Sequence, residues 1–108
     1  MSHITIRYET LNIPGYETQT SFWNDFSIAD RFGIAAIRDT YKRAMRAWKK
    51  NPVYLTELVM VLNHKIWQWY KKNETIARVY NELWEEADAY ACDHLKGEDL
   101  AYFYRTTD

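Results

Sequence analysis

Residues 51–72 read NPVYLTELVMVLNHKIWQWYKK, and the period of that stretch decides the fold. Leu55, Leu58, Val59, Leu62, Ile66 and Trp69 recur at spacings of three and four, which is one apolar face of an α-helix. Asn51-Pro52 starts it. An asparagine side chain accepts backbone N–H groups at an N-cap, and the missing N–H of proline is harmless at the first helical position. The stretch predicts a helix from about Pro52 to Lys72. A second apolar line, Val53-Met60-Trp67, repeats every seven residues on the opposite side. A helix apolar on two sides is either central in its bundle or offers one side to a partner, so Met60 and Trp67 are candidate binding residues.

The flanking segments follow the same period. Downstream, Asn73 is placed to cap a helix that runs to about Lys96 and stops at Gly97, with Ile76, Val79, Tyr80, Leu83, Ala87, Tyr90 and Ala91 as its stripe. Lys71 to Glu74 is the whole connection, which makes these two helices antiparallel neighbours, with Leu58, Leu62, Ile66, Leu83 and Ala87 in the core. A short helix from Glu98 to Tyr104 follows. Upstream, Ile34, Ile37, Tyr41, Ala44 or Met45 and Trp48 define a helix from Ile34 to Lys50. Phe22, Phe26 and Ala29 define another from Ser21 to Phe32, capped by Thr20 or Ser21 and closed by Gly33 as a C′ residue. Before Ser21 the period drops to two: Ile4, Ile6 and Tyr8 alternate with polar residues, and Pro14-Gly15 is a turn signal. The expected fold is mainly α: a compact four- to five-helix bundle (21–108) with an extended N-terminal β-arm or hairpin (1–20).

Composition bounds the function. The chain has 108 residues, 3 Gly and 2 Pro, too little punctuation for a turn-rich sandwich or a low-complexity linker. There is no apolar run of membrane-spanning length, and Met1 to Thr5 lack the basic and apolar regions of a signal peptide. One cysteine, Cys92, forms no internal disulfide, so a reducing cytoplasm is the expected setting. The net charge of −1 hides a polarity. Residues 31–50 hold seven basic groups against Asp39, and residues 74–108 hold nine acidic against three basic. At 100° per residue Arg38, Lys42, Arg46 and Lys49 form one basic stripe on the second helix. That stripe either meets a charged partner or is neutralised within the molecule by Glu82, Glu86 and Asp93.

Most patterns that carry chemistry are missing. Ile28 to Ile34 has the Ala…Gly…apolar spacing of a helix-turn-helix, but its locking positions fall on Asp39 and Lys42. There is no Cys-x-x-Cys, His-Glu-x-x-His or Glu-x-x-His. His64 lies on the Met60-Trp67 side of its helix and His94 toward the core stripe, both read as structural. Cys92 follows Glu85 and Asp88, acidic neighbours that disfavour a thiolate. Glu82, Glu85 and Asp88 give Glu-x-x-Glu and Glu-x-x-Asp, motifs that MazG-like nucleotide pyrophosphohydrolases use to hold Mg²⁺ from two helices. Here they share one segment, which reads as a solvated acidic face.

TQTSFWNDFSIADRFG (18–33), with YLTELVMVLN (54–63) and YNELWEEAD (80–88), resembles a family of small bacterial proteins of unknown function associated with phage-like and other mobile genetic elements. The resemblance brings no catalytic residue and no cofactor. It implies a class of inhibitors, adaptors and regulators of larger host machines, anti-CRISPR proteins among them. The expectation is therefore a non-enzymatic macromolecule-binding protein, with a protein partner, no membrane partner, no metal and no cofactor, and with a homodimer as a further arrangement. Its candidate binding residues are Arg38, Lys42, Arg46, Lys49, Met60 and Trp67. A nucleic-acid-binding domain using the basic stripe is the first alternative, and a MazG-like Mg-dependent hydrolase the second.

Overall fold

Five helices follow one another in the structure, a computed structural model that describes residues 22–107. They are α1 (Phe22–Phe32), α2 (Ile34–Trp48), α3 (Pro52–Trp69), α4 (Glu74–His94) and α5 (Gly97–Thr107). All regular structure among the described residues is helical. The β-arm expected at 1–20 and the cap at Thr20 or Ser21 lie outside the described residues.

Each boundary has a local cause. The Asn51 side chain accepts from the Val53 and Tyr54 N–H groups at 3.1 and 3.2 Å, and Pro52 occupies the first turn. The Asn73 side chain accepts from the Ile76 N–H at 3.2 Å. Gly33 lies between α1 and α2 and serves both. Its N–H donates to the Ala29 carbonyl and its carbonyl accepts from Ile37, each at 3.1 Å. It does so at φ 105°, ψ −172°, an extended region of positive φ open essentially to glycine alone, rather than in the left-handed helical conformation of an ordinary C′ glycine.

Several boundaries move from their expected places. α2 stops at Trp48 and α3 at Trp69, each short of the lysines that follow. α4 ends at His94, not Lys96, because Leu95 turns extended and buries its side chain. The Lys96 carbonyl then accepts from Asp99 and Leu100. Gly97, at φ 55°, therefore opens α5 instead of closing α4, and α5 runs on to Thr107.

α3 is the central helix. It packs on α1, α2, α4 and α5, most extensively on α4, and buries residues around most of its circumference from Tyr54 to Val59. Of the second apolar line, Val53 and Met60 are half-buried and Trp67 is exposed, so the central position of α3 covers that side only in part. Leu58, Leu62, Leu83 and Ala87 are core as expected, while Ile66 is only half-buried against it. Much of the aromatic content is core as well. Tyr54 takes Phe22 and Trp48 edge-on, with ring centroids 6.4 and 5.0 Å away, and Phe26 meets Tyr80 at 5.7 Å. Edge-to-face pairs of this kind contribute about 0.5–1.5 kcal/mol each beyond their buried area. No helix among the described residues is long and apolar enough to cross a membrane.

Candidate binding surfaces

The apolar face of α2 buries Ile37, Tyr41, Ala44 and Trp48, which turns its basic residues outward. Arg38, Lys42, Arg46 and Lys49 are all exposed. They are not equally available. Arg38 Nη2 donates to Glu82 Oε1 of α4 at 2.9 Å, and Lys49 Nζ stands 5.6 Å from the centre of the Tyr90 ring, also on α4. Arg43, beside the stripe, is paired with Asp39 at 3.1 Å. Lys42 and Arg46 form no ion pair among the described residues. Glu86 faces the Tyr41 hydroxyl, whose pKa is pushed up by burial first and by the Glu86 carboxylate second. α2 and α4 therefore run side by side in the same direction, Arg38 at the level of Glu82, Tyr41 near Glu86 and Lys49 near Tyr90. Of the three acidic groups expected to neutralise the stripe, Glu82 alone bonds to it.

Met60 and Trp67 sit on one side of α3 and do not meet. Half-buried Met60 lines a groove of about 230 Å³ with Val59, Asn63, His64, Trp84, Thr106 and Thr107. Trp67, two turns on, is 65% exposed and Tyr70 is 53% exposed, with ring centroids 5.5 Å apart. The other four tryptophans, Trp23, Trp48, Trp69 and Trp84, are all buried or half-buried. His64 is exposed and lies 5.6 Å from the Trp23 ring. His94, expected toward the core, is exposed. It stacks on Tyr90 at 3.9 Å and its Nδ1 bonds the Tyr90 carbonyl at 2.9 Å, while Ala91 of the same last turn is buried.

The most polar site in the interior was not foreseen from the pattern. Lys65 is fully buried and the Asp30 side chain is 7% exposed. Asp30 Oδ2 accepts from Lys65 Nζ at 2.8 Å and from Trp69 Nε1 at 3.2 Å, and Oδ1 accepts from the Tyr80 hydroxyl at 2.5 Å. Lys65 also donates to Ser27 Oγ at 3.2 Å and lies 5.3 Å from the centre of the Trp23 ring. The signal was legible in principle. Lys65 falls three residues after Leu62 on the Leu58-Leu62-Trp69 face, and Asp30 falls four after Phe26, so each helix carries one charge within its apolar stripe. The cluster ties α1 to α3 and α4, and its carboxylate is fully engaged.

The remaining chemical candidates stay apart. Glu82 is taken by Arg38, Glu85 is exposed, and Asp88 is half-buried with its pKa raised by desolvation. No group of three or more His, Cys, Asp or Glu among the described residues is arranged to hold a metal ion. Cys92 is exposed, with the Tyr104 hydroxyl 3.9 Å from its sulfur. Exposed Ile28 and Phe32 border a shallow groove between α1 and α2 with Ala36 and Thr40. Compared with known proteins, the chain matches no family model, no curated protein and no solved structure.

Proposed function

We propose that this chain is a non-enzymatic binding protein that docks on a protein partner through the exposed Trp67–Tyr70 pair at the end of α3, a role of the inhibitor or adaptor kind that its resemblance to a mobile-element-associated family of unknown function implies by analogy. The observation that carries the reading is the exposure of Trp67, the one tryptophan of five with most of its surface in water. Isolated exposed apolar residues are ordinary. A tryptophan in ring contact with an exposed tyrosine is a different case, because these two side chains dominate interface hot spots and order at low entropic cost. Lys71 and Lys72, both exposed, supply a polar rim of the kind that surrounds such anchors.

The test compares the intact chain with Trp67→Ala/Tyr70→Ala by quantitative affinity capture from the native host, followed by titration of the captured protein. The double variant should keep its melting temperature to within a few degrees, since neither side chain is core. It should lose at least about thirtyfold in affinity, the scale of a hot-spot truncation. Unchanged affinity for every captured partner refutes the reading.

A further inference from the structure

We infer that the α2–α4 face is a self-complementary docking surface for a second copy of this chain. The argument is geometric and does not depend on the role of Trp67. α2 presents a basic stripe and α4 an acidic one, and the two lie side by side, parallel and in register. Arg38 is bonded to Glu82 at 2.9 Å, which fixes the offset between the stripes. The same offset carried along both helices sets Lys42 level with Glu86, while Lys49, which reaches the Tyr90 ring at 5.6 Å, lies within one turn of Asp93; all four of these charged side chains are exposed.

A two-fold axis running along the seam between α2 and α4, parallel to the helices, lays each basic stripe over the acidic stripe of the partner. That operation leaves position along the helix unchanged. Lys42 then faces Glu86 of the partner subunit, Lys49 comes within one turn of Asp93 of the partner subunit, and the Arg38–Glu82 bridge stacks on its own copy with charges alternating. Each of these matches occurs twice, the isologous contact that a two-fold dimer requires; Arg46, level with Tyr90 at this offset, takes no charged partner from it. The alternative two-fold, perpendicular to the helices, would lay α2 on α2 and oppose like charges. A nucleic acid broad enough to follow α2 would also run along Glu82, Glu86 and Asp93 and be repelled there, so the bipolar face fits a bipolar partner better than a polyanion.

The scale of the contact is modest. α2 has 15 residues and is about 22 Å long at 1.5 Å per residue, and two helices abreast are about 20 Å wide. That covers about 440 Å² on each copy, below the roughly 600 Å² per partner at which stable specific interfaces begin and within the range of transient encounters. Such an interface is weak, transient and strongly salt-dependent.

Sedimentation velocity at concentrations up to about 0.5 mM, in low and in high salt, tests the inference with two charge-reversed variants, Lys42→Glu/Lys49→Glu and Glu86→Lys/Asp93→Lys. The intact chain should dimerise in low salt and dissociate as salt rises. Each variant alone should stay monomeric at every concentration, with helical circular dichroism retained. Mixed in equal amounts, the two variants should dimerise again, because each then offers the charges the other lacks. A misfolded variant cannot give that restoration. An intact chain that stays monomeric throughout in low salt overturns the inference. So does a mixture that stays monomeric while the intact chain dimerises. Binding of a short DNA duplex by the intact chain and by Glu86→Lys/Asp93→Lys, lost in Lys42→Glu/Lys49→Glu, would instead assign the basic stripe to a polyanion.

Discussion

Asp30 receives three hydrogen bonds, from Lys65, Trp69 and Tyr80, and its charge is balanced in the interior by one fully buried ammonium. A buried ion pair is weak evidence of net stability, yet removal of one partner strands the other. Asp30→Asn should therefore cost about 3–5 kcal/mol, whereas Tyr80→Phe removes one donor to a charged acceptor and should cost about 1.5–3 kcal/mol. Urea unfolding of the two variants checks the order, and a larger loss in Tyr80→Phe would contradict it. Three buried tyrosines set a second expectation. Burial pushes Tyr41 and Tyr80 up, aided by Glu86 and by Asp30 respectively, and pushes Tyr54 to about 12, with the Glu57 charge second. The folded state keeps these protons after the unfolded state has lost them near the ordinary value of 10. Their contribution is intact below about pH 10 and is lost as pH rises from there toward 12. The urea midpoint should hold up to about pH 10 and fall steeply between about pH 10 and 12, less steeply in Tyr54→Phe; a flat profile in the intact chain would rule this out.

At the scale of the element, the two positive-φ glycines do different jobs. Gly33 (φ 105°, ψ −172°) sits where nothing but glycine is at ease, while Gly97 (φ 55°) has a φ in the range of the left-handed region, which asparagine tolerates. A Cβ at either position meets no atom within 4 Å, so any cost is conformational. Gly33→Asn should lose about 1–3 kcal/mol and Gly97→Asn distinctly less, as read from thermal unfolding of the pair. Equal losses would show that the two junctions impose the same constraint. The caps behave more conventionally. Asn51→Ala strands two N–H groups of α3 and should cost about 0.5–2 kcal/mol.

For the whole molecule, the hierarchy of packing sets the hierarchy of opening. α3 touches all four other helices and contributes Tyr54, Leu55, Leu58, Val61 and Leu62 as fully buried side chains. α5 buries only Phe103. Native-state hydrogen exchange should find the α3 amides exchanging only through global unfolding, and the α5 amides through a cheaper local opening. Leu62→Ala should lower the global unfolding free energy by about 2–5 kcal/mol and leave the local opening of α5 nearly unchanged. Uniform protection across α3 and α5 would show a single cooperative unit instead.

The periodic runs by themselves determined the five helices, the hairpin of α3 and α4, and the outward basic stripe of α2, because a spacing of three and four maps onto one helix face without reference to any neighbour. The same is true of the Asn51 and Asn73 caps, whose partners lie within three residues. What only the tertiary structure decided involves partners far apart in the chain. Along the apolar line through Met60, packing half-covered Val53 and Met60 and left Trp67 in water. Lys65 and Asp30, 35 residues apart, each stand as one charge within an apolar stripe, and only the packing of their two helices pairs and buries them. Arg38 and Glu82, 44 residues apart, became a bridge because α2 and α4 run parallel. A helix period records which side of an element is apolar. It does not record which element will lie against that side, and the fate of a charge depends on that neighbour.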